Sequence, residues 1–131
     1  MSAPSKTQSF KILSALSEPN RLRIVAVLNF RPLAVCEIRE ILGLSFSTVS
    51  RHLSQLQEAG LVDFDKEGKW VIYQINPELA PELKELLRHL LALISNDTRI
   101  REDLKMAKTV DKNIICKINA VSTQRKLIME V

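Results

Sequence analysis

Residues 44–60 read LSFSTVSRHLSQLQEAG, a short amphipathic helical pattern with a cluster of hydroxyl side chains at its front. Apolar positions recur at helical spacing and predict a buried stripe formed by Val49, Leu53 and Leu56. Ser45 is placed to cap this helix by accepting a backbone N–H, and Gly60 is expected to end it. The other hydroxyls weaken a helix slightly because they compete for backbone hydrogen bonds, so we infer that a partner outside the helix uses them.

The segment before this helix completes a tight helix pair. Apolar residues repeat every three to four positions over residues 35–42 and predict a short helix. Gly43 follows as a natural C-terminal cap, so the turn between the helices is Gly43-Leu44-Ser45. Polar side chains of the second helix are expected on or beside its open face, mainly in its N-terminal half. They are Ser47, Thr48, Ser50, Arg51, His52 and Gln55.

Two further helices are predicted upstream of this pair. The first covers residues 7–17, and its apolar face is formed by Phe10, Ile12, Leu13 and Leu16. The second begins at Pro19, because proline suits the first turn of a helix. Its apolar pattern predicts a largely buried helix, with Arg21 and Arg23 lying outside.

The apolar period changes to two after Gly60, which predicts a β-hairpin. Its strands flank a charged loop at residues 65–69, which contains the glycine that a tight turn favours. Helices, a glycine-containing turn and then a hairpin predict a winged helix-turn-helix of the α+β class, mainly α with a small β-hairpin. In that geometry the helix after the turn enters the DNA major groove and presents its N-terminal residues to base edges.

A long leucine-rich helix is predicted downstream of the hairpin, closing near Asn96. Its apolar stripe is wider than a core of this size requires, so we expect a homodimer formed through the terminal helices. Residues 1–95 are expected to form the DNA-binding and dimerisation domain. Residues 96–131 are expected to form a C-terminal extension, with a short helix capped by Asp97 and a weakly patterned tail that carries Cys116.

Composition limits the class of protein. The chain has 131 residues, 46% hydrophobic and 5% aromatic, which favours one helix-rich globular domain. A net charge of +4 permits nucleic-acid binding without indicating it. Because no apolar run reaches the roughly 18 residues of a membrane span and the start lacks a signal-peptide core, we expect a cytoplasmic protein with no membrane partner. The sequence shows no phosphate loop or nucleophile elbow, so we expect no enzyme.

Three segments carry a resemblance to a known family: LSEPNRLRIVAVL at 16–28, VCEIREILGLSFSTVSRHLSQLQEAGLV at 35–62 and KEGKWVIYQI at 66–75. Together they resemble the ArsR-type (ArsR/SmtB) family of small dimeric repressors, over about residues 8–95. The resemblance implies a transcriptional repressor that binds a palindromic double-stranded DNA operator as a dimer and has no constitutive cofactor. It also implies release of the operator when an inducer, often a metal or metalloid, binds cysteines or other ligands.

The resemblance also implies which residues contact DNA. The family's recognition residues correspond, beside the capping Ser45, to Ser47, Thr48, Ser50, Arg51, His52 and Gln55. Lys66 and Lys69 correspond to phosphate contacts from the wing. Relatives often carry Gln-Pro after the capping serine, whereas this chain has Phe46-Ser47, which leaves its operator preference open.

The implied inducer site lies at the start of the helix before the turn, where arsenic sensors of the family often carry C-x-C. Only the second of these cysteines is present here, as Cys36, and the other cysteine of the chain is Cys116. Trivalent arsenic and antimony favour several thiolates, so we expect Cys36 and Cys116 to act together, within or between subunits. The alternative is a redox- or sulfide-responsive repressor whose two cysteines, reduced in the resting cell, form a Cys36–Cys116 disulfide.

Two other interpretations stay open. Zinc sensing would rely on Glu82, Glu85 and His89 of the leucine-rich helix, but the repeated histidines of zinc-sensing relatives are absent. A winged helix can instead bind protein, although the hydroxyl cluster would then have no explanation.

Overall fold

The helices and strands follow one another in the predicted order, with one additional short strand. The computed structural model describes residues 6–115. The elements are α1 (Lys6–Leu16), α2 (Pro19–Phe30), β1 (Leu33–Ala34), α3 (Val35–Leu42), α4 (Phe46–Glu58), β2 (Val62–Glu67), β3 (Trp70–Ile75), α5 (Pro81–Leu93) and α6 (Thr98–Ala107). This is the predicted winged helix-turn-helix.

Helices α3 and α4 form the predicted helix-turn-helix pair. Gly43 ends α3 in the left-handed conformation, with a φ of 68°, and its N–H donates to the Arg39 carbonyl oxygen at 2.8 Å. Ser45 caps α4, because its Oγ accepts the Thr48 N–H at 3.2 Å. Both predicted caps are confirmed, and they fix where one helix ends and the next begins.

The hydrophobic core is centred on α2 and α4. The stripe predicted for α4 is fully buried, as are Ile24, Val25 and Val27 of α2. The apolar face predicted for α1 is partly wrong, because Phe10 and Leu13 are exposed. The buried side chains of α1 follow the i, i+3, i+4 spacing of a single helix face. They are Ile12, Ala15 and Leu16.

The strands form one antiparallel sheet in the order β1-β3-β2. The predicted hairpin is confirmed, with the turn Gly68-Lys69 between β2 and β3. The predicted loop at residues 65–69 is wrong, because residues 65–67 continue β2 and pair with β3. These three residues are charged and exposed, so in sequence this strand looks like a loop. Strand β1, in which Leu33 pairs with Tyr73, is too short to leave a sequence pattern.

Helix α5 is anchored on one face only. Leu83 and Leu87 are buried in the core, whereas Leu86 is exposed and Leu93 is 81% exposed. The predicted leucine-rich helix is thus confirmed, and part of its apolar surface is left uncovered in a single chain. Within residues 6–115, none of the helices has the length and apolar character needed to cross a bilayer.

Helix α6 packs against α2 and α3, so the extension expected from residue 96 is tied to the same body at its first helix. Asp97 caps α6 as predicted, accepting the Ile100 N–H at 3.0 Å. Arg23 of α2 donates to both carboxylate oxygens of Asp103, from Nε at 2.7 Å and from Nη2 at 2.9 Å. The prediction that Arg23 lies outside is wrong, because a carboxylate distant in sequence pairs with its charge and the Asp103 side chain is only 3% exposed.

Replacing Asp103 with alanine is expected to lower the free energy of unfolding by about 3 kcal/mol, because the largely buried Arg23 guanidinium loses its partner. Urea denaturation followed by circular dichroism measures this change. Glu102→Ala, at an exposed neighbouring position of α6, is the matched control and is expected to change that free energy by less than about 0.5 kcal/mol. Equal effects of the two substitutions would contradict a stabilising role for the Arg23–Asp103 pair.

Candidate nucleic-acid interface

The exposed face of α4 carries most of the polar side chains predicted to contact DNA. Ser45, Ser47, Arg51 and Gln55 are exposed, and Thr48 and Ser50 are half-buried. The hydroxyls cluster at the helix N-terminus, where Ser45 Oγ lies 2.8 Å from Thr48 Oγ1 and 3.3 Å from Ser47 Oγ. The helix dipole adds partial positive charge at the same end. This end of α4 can therefore offer hydrogen bonds to phosphate oxygens and base edges.

His52 lies inside the protein, and the prediction that it lies on or beside the open face of α4 is wrong. Its side chain is only 6% exposed. Residue 52 is three positions after Val49 and four before Leu56, and both of these are buried, so helical spacing places His52 on the buried side. Its Nε2 lies 3.8 Å from Glu18 Oε2, and its Nδ1 lies 3.5 Å from Arg21 Nη1.

Arg21 connects α1, α2 and α4, so the prediction that it lies outside is also wrong. Its Nε donates to the Ala15 carbonyl oxygen at 2.7 Å, and its Nη1 donates to Gln55 Oε1. Glu18 caps α2 by accepting the Arg21 N–H at 2.8 Å. The side chain of Gln55, a predicted DNA contact, is therefore held by an arginine from another helix.

Burial lowers the pKa of His52 below its ordinary value, because desolvation penalises the imidazolium form. The carboxylate of Glu18 acts in the opposite direction, and the positive charges of Arg21 and Arg51 lower the pKa further. The folded protein therefore favours a neutral His52 ring.

The wing presents both predicted lysines to solvent. Lys66 is exposed in β2, and Lys69 is exposed at the hairpin turn. The Lys69 Nζ lies 4.8 Å from the centroid of the Trp70 ring, within the range of a cation–π interaction. Both ammonium groups are accessible to a phosphate backbone.

Phe46 is the first residue of α4. In the sequence it stands out only because the chain has Phe46-Ser47 where relatives often carry Gln-Pro. Its side chain is 57% exposed, and the Arg39 guanidinium lies 6.0 Å from its ring centroid. Residue 46 lies three positions before Val49, so its spacing alone would place it on the buried stripe. It is exposed because it stands at the helix end, beyond the edge of the core. An apolar side chain at this point is of the kind that contacts a thymine methyl group.

Cys36 lies half-buried in the first turn of α3, directly before the buried Glu37. It takes part in a disulfide bond; the reduced thiol expected in the resting cell stays a prediction. Cys116 lies outside the described residues. Within residues 6–115, the structure contains no group of three or more His, Cys, Asp or Glu side chains that could hold a metal ion.

Replacing His52 with glutamine is expected to make the fold less sensitive to acid. Because the pKa of His52 is lowered on folding, the unfolded chain binds a proton more readily, so the free energy of unfolding falls as the pH drops below about 6.5. Glutamine takes up no proton, so the slope of unfolding free energy against pH should be shallower, as measured by urea denaturation at several pH values. Ser54→Ala, at an exposed position of the same helix without a titratable side chain, is the control and should keep the parent slope. A parent-like slope in His52→Gln would contradict a lowered pKa of His52 in the folded protein.

The chain matches the family model described as "Bacterial regulatory protein, arsR family" over residues 18–63, which contain α2, α3 and α4. It is 42% identical over 73 residues to the putative arsenical resistance operon repressor ArsR of Halobacterium salinarum. That alignment covers 54% of this chain and 57% of the relative, so the chain spans a little over half of the relative's length.

Solved structures of regulators share the fold. Reduced HlyU from Vibrio cholerae is 32% identical with a TM-score of 0.59, covering 66% of this chain and 88% of HlyU. The homodimeric winged helix-turn-helix DNA-binding domain Mb0332 from Mycobacterium bovis, a possible ArsR-family regulator, is 25% identical with a TM-score of 0.60, covering 75% and 94% of the two chains. The family consists of DNA-binding regulators, not enzymes. The chain is also 31% identical over 101 residues to the arsenic resistance transcriptional regulator ArsR2 of Pseudomonas putida, covering 76% of this chain and 86% of the relative. With its tight helix pair, its wing and these matches, the chain belongs to the arsR family of bacterial regulatory proteins.

Proposed function

We propose that this protein is a transcriptional repressor that acts as a homodimer on a palindromic operator, with α4 in the major groove and the β2-β3 wing along the phosphate backbone. The observation that carries the proposal is the exposed polar N-terminal half of α4, on a helix whose opposite face is buried in the core. The proposed DNA contacts are Ser45, Ser47, Thr48, Ser50, Arg51, Gln55, Lys66 and Lys69. His52 is left out because it is buried, and we assign it the role of supporting α4 together with Arg21.

The proposed dimer contact consists of apolar side chains that a single chain leaves exposed. They are Phe10 and Leu13 of α1 with Leu86 and Leu93 of α5. The similarity to the homodimeric domain of Mb0332 supports this assembly. In this proposal residues 1–95 bind DNA and form the dimer, and residues 96–131 form the regulatory extension.

Lys69→Ala is expected to weaken DNA binding across sequences and to reduce the slope of log affinity against log salt by about 1, because one phosphate contact is lost.

Arg51→Ala is expected to weaken binding about tenfold through loss of a base or phosphate contact. Fluorescence anisotropy with a duplex that the parent chain selects from a random library measures both effects. Lys105→Ala, at an exposed lysine of α6, should leave affinity and slope unchanged. An unaltered slope in Lys69→Ala would remove this lysine from the interface.

We further propose that operator release is triggered by the thiol chemistry of Cys36 acting with Cys116. Cys36 is at the start of α3, and the C-terminal cap of α3 leads through Leu44 into α4. A covalent or coordinate bond at Cys36 therefore acts on the helix that directly precedes the recognition helix.

Oxidation is one candidate trigger, and the disulfide bond of Cys36 supports it. In this step the two thiols form a sulfur–sulfur bond, and two electrons and two protons pass to glutathione disulfide, which becomes two thiols. A persulfide can serve as the oxidant in the same way, with release of a thiol and hydrogen sulfide. The sulfide-responsive alternative therefore uses the same pair, Cys36 and Cys116.

Binding of trivalent arsenic or antimony is the second candidate, because a relative of this chain is described as an arsenical resistance operon repressor. Such an ion prefers several thiolates. Within residues 6–115 there is no three-ligand group, so Cys116, from the same subunit or its partner, would have to supply further sulfur.

The substitutions Cys36→Ser and Cys116→Ser separate the two triggers in operator-release assays. For an oxidative trigger, glutathione disulfide should release DNA from the parent chain but from neither variant, dithiothreitol should restore binding, and mass spectrometry should show loss of two hydrogens per chain. For a metalloid trigger, arsenite or antimonite should release DNA from the reduced parent without that mass loss. Unchanged release from both serine variants would dismiss these cysteines as the switch.

A further inference from the structure

Four arginines are half-buried within residues 6–115, and the fold uses the charge of only three of them. They are Arg21, Arg23, Arg31 and Arg39. The guanidinium groups of Arg21, Arg23 and Arg31 donate to carbonyl or carboxylate oxygens of other helices. Arg39 differs, because in the same part of the chain its guanidinium forms no ion pair and its buried Nε has no hydrogen-bond partner. Its charge is therefore left without a stabilising partner among these residues.

Arg39 extends from α3 to the first turn of α4. Its guanidinium carbon lies 6.0 Å from the centroid of the Phe46 ring, at the outer limit of a cation–π interaction. Arg39 is in the last turn of α3, and its carbonyl oxygen accepts the Gly43 N–H at 2.8 Å, so the turn between the two helices fixes the backbone that carries it. Its positive charge is thus located where α3 leads into α4.

Phe46 is exposed at the same junction. Its side chain is 57% exposed, whereas the three other apolar side chains of α4 are all buried. In the sequence it lies between Ser45 and Ser47, whose hydroxyl oxygens are 3.3 Å apart at the polar end of the helix. The core does not use this ring. When the N-terminal end of α4 enters a major groove, as proposed above, the ring enters with it.

The major groove offers such a ring one apolar group. Among the four bases only thymine presents a methyl group there, and the other base edges present hydrogen-bond donors and acceptors. A phenyl ring has no group that pairs with those edges, so it gains most by removing the methyl group from water. The adjacent guanidinium of Arg39 offers positive charge and several donors, which suit an oxygen of the phosphate backbone.

We propose that Arg39 and Phe46 form one composite DNA contact. The Phe46 ring packs on the methyl group of a thymine in each half-site, and the Arg39 guanidinium holds the ring and binds a neighbouring phosphate. This inference rests on the proposed placement of α4 in the major groove. It adds a base-reading residue and a phosphate contact from α3 to that interface. The phosphate supplies the partner that Arg39 lacks within residues 6–115.

The test uses the duplex that the parent chain selects from a random library. Each thymine of one half-site is replaced in turn by deoxyuridine, which lacks only the methyl group, and fluorescence anisotropy measures binding. One replacement is expected to weaken binding by the parent chain about fourfold, the effect of losing one buried methyl group. Phe46→Ala should bind the two duplexes equally at that position. Phe30→Ala, at an exposed phenylalanine that ends α2, is the matched control and should keep the parent's discrimination.

Two substitutions separate the charge of Arg39 from its planar shape. Arg39→Gln removes the charge, so the slope of log affinity against log salt should fall by about 1 for each subunit, and discrimination against deoxyuridine should weaken. Arg39→Lys keeps the charge but lacks the plane that stacks on a ring, so it should keep the slope and lose part of the discrimination. It also replaces Arg39→Gln if that variant does not fold. Arg101→Gln, at an exposed arginine of α6, should match the parent chain.

The outcomes separate this contact from the proposed function. A parent chain that selects no duplex overturns the proposed DNA binding and the contact with it. A selected duplex in which no thymine methyl group affects binding, or a Phe46→Ala chain that keeps the full discrimination, overturns the contact alone.

Two measurements test other roles for these side chains. Loss of the dimer in Phe46→Ala, seen by analytical ultracentrifugation, would place the ring in a subunit contact and overturn the proposal. Urea denaturation is measured for every variant, because a purely structural role of Arg39 would lower the free energy of unfolding without changing the salt slope or the discrimination. That result would also overturn the proposal.

Discussion

Burial of one aliphatic stripe on α4 determines how the rest of the molecule can function. Val49, Leu53 and Leu56 are anchored in the core, so the rotation of α4 about its axis is fixed. That rotation leaves Ser47 and Arg51 in solvent and places His52 in the interior. The apolar contacts thus set the rotation of α4. The polar side chains on its opposite face point to solvent as a result, and no interaction of their own is needed to orient them.

Three arginines, two in α2 and one at its C-terminal cap, connect this helix to three neighbouring helices. Arg21 reaches α4 through Gln55, Arg23 pairs with α6 through Asp103, and Arg31 joins the end of α6 to α3. Such partly buried charges are useful only while their partners stay in place, because an unpaired guanidinium in this environment is costly. Helix α2 and its C-terminal cap therefore contact the candidate DNA-binding helix α4, the helix α3 that carries Cys36, and the first helix of the extension, α6.

Local features of the fold could be predicted from the sequence, whereas pairings between distant residues could not. The caps at Gly43, Ser45 and Asp97 are confirmed because each depends on residues within a few positions of itself. The burial of Arg23 could not be predicted, because its partner carboxylate, Asp103, is 80 positions away in the sequence. His52 could have been placed correctly, since its spacing from the buried stripe was visible, but its polar character and the family pattern both favoured the surface. The proposed DNA contacts follow from the resemblance and stay predictions.

Helix α3 is connected at each of its ends to another element of the fold. Strand β1 directly precedes it, and the turn into α4 follows it. Leu33 and Ala34 pair with Tyr73 and Ile72 of β3, so the residues just before Cys36 belong to the sheet of the wing. At the opposite end, Gly43, in the left-handed conformation, ends α3 and begins the turn that leads into α4. Helix α3 thus connects, at its two ends, the two elements that we propose to contact DNA. In that proposal, a tilt of α3 at its first turn would move the wing and α4 relative to each other, and a duplex that must fit both elements would bind less tightly.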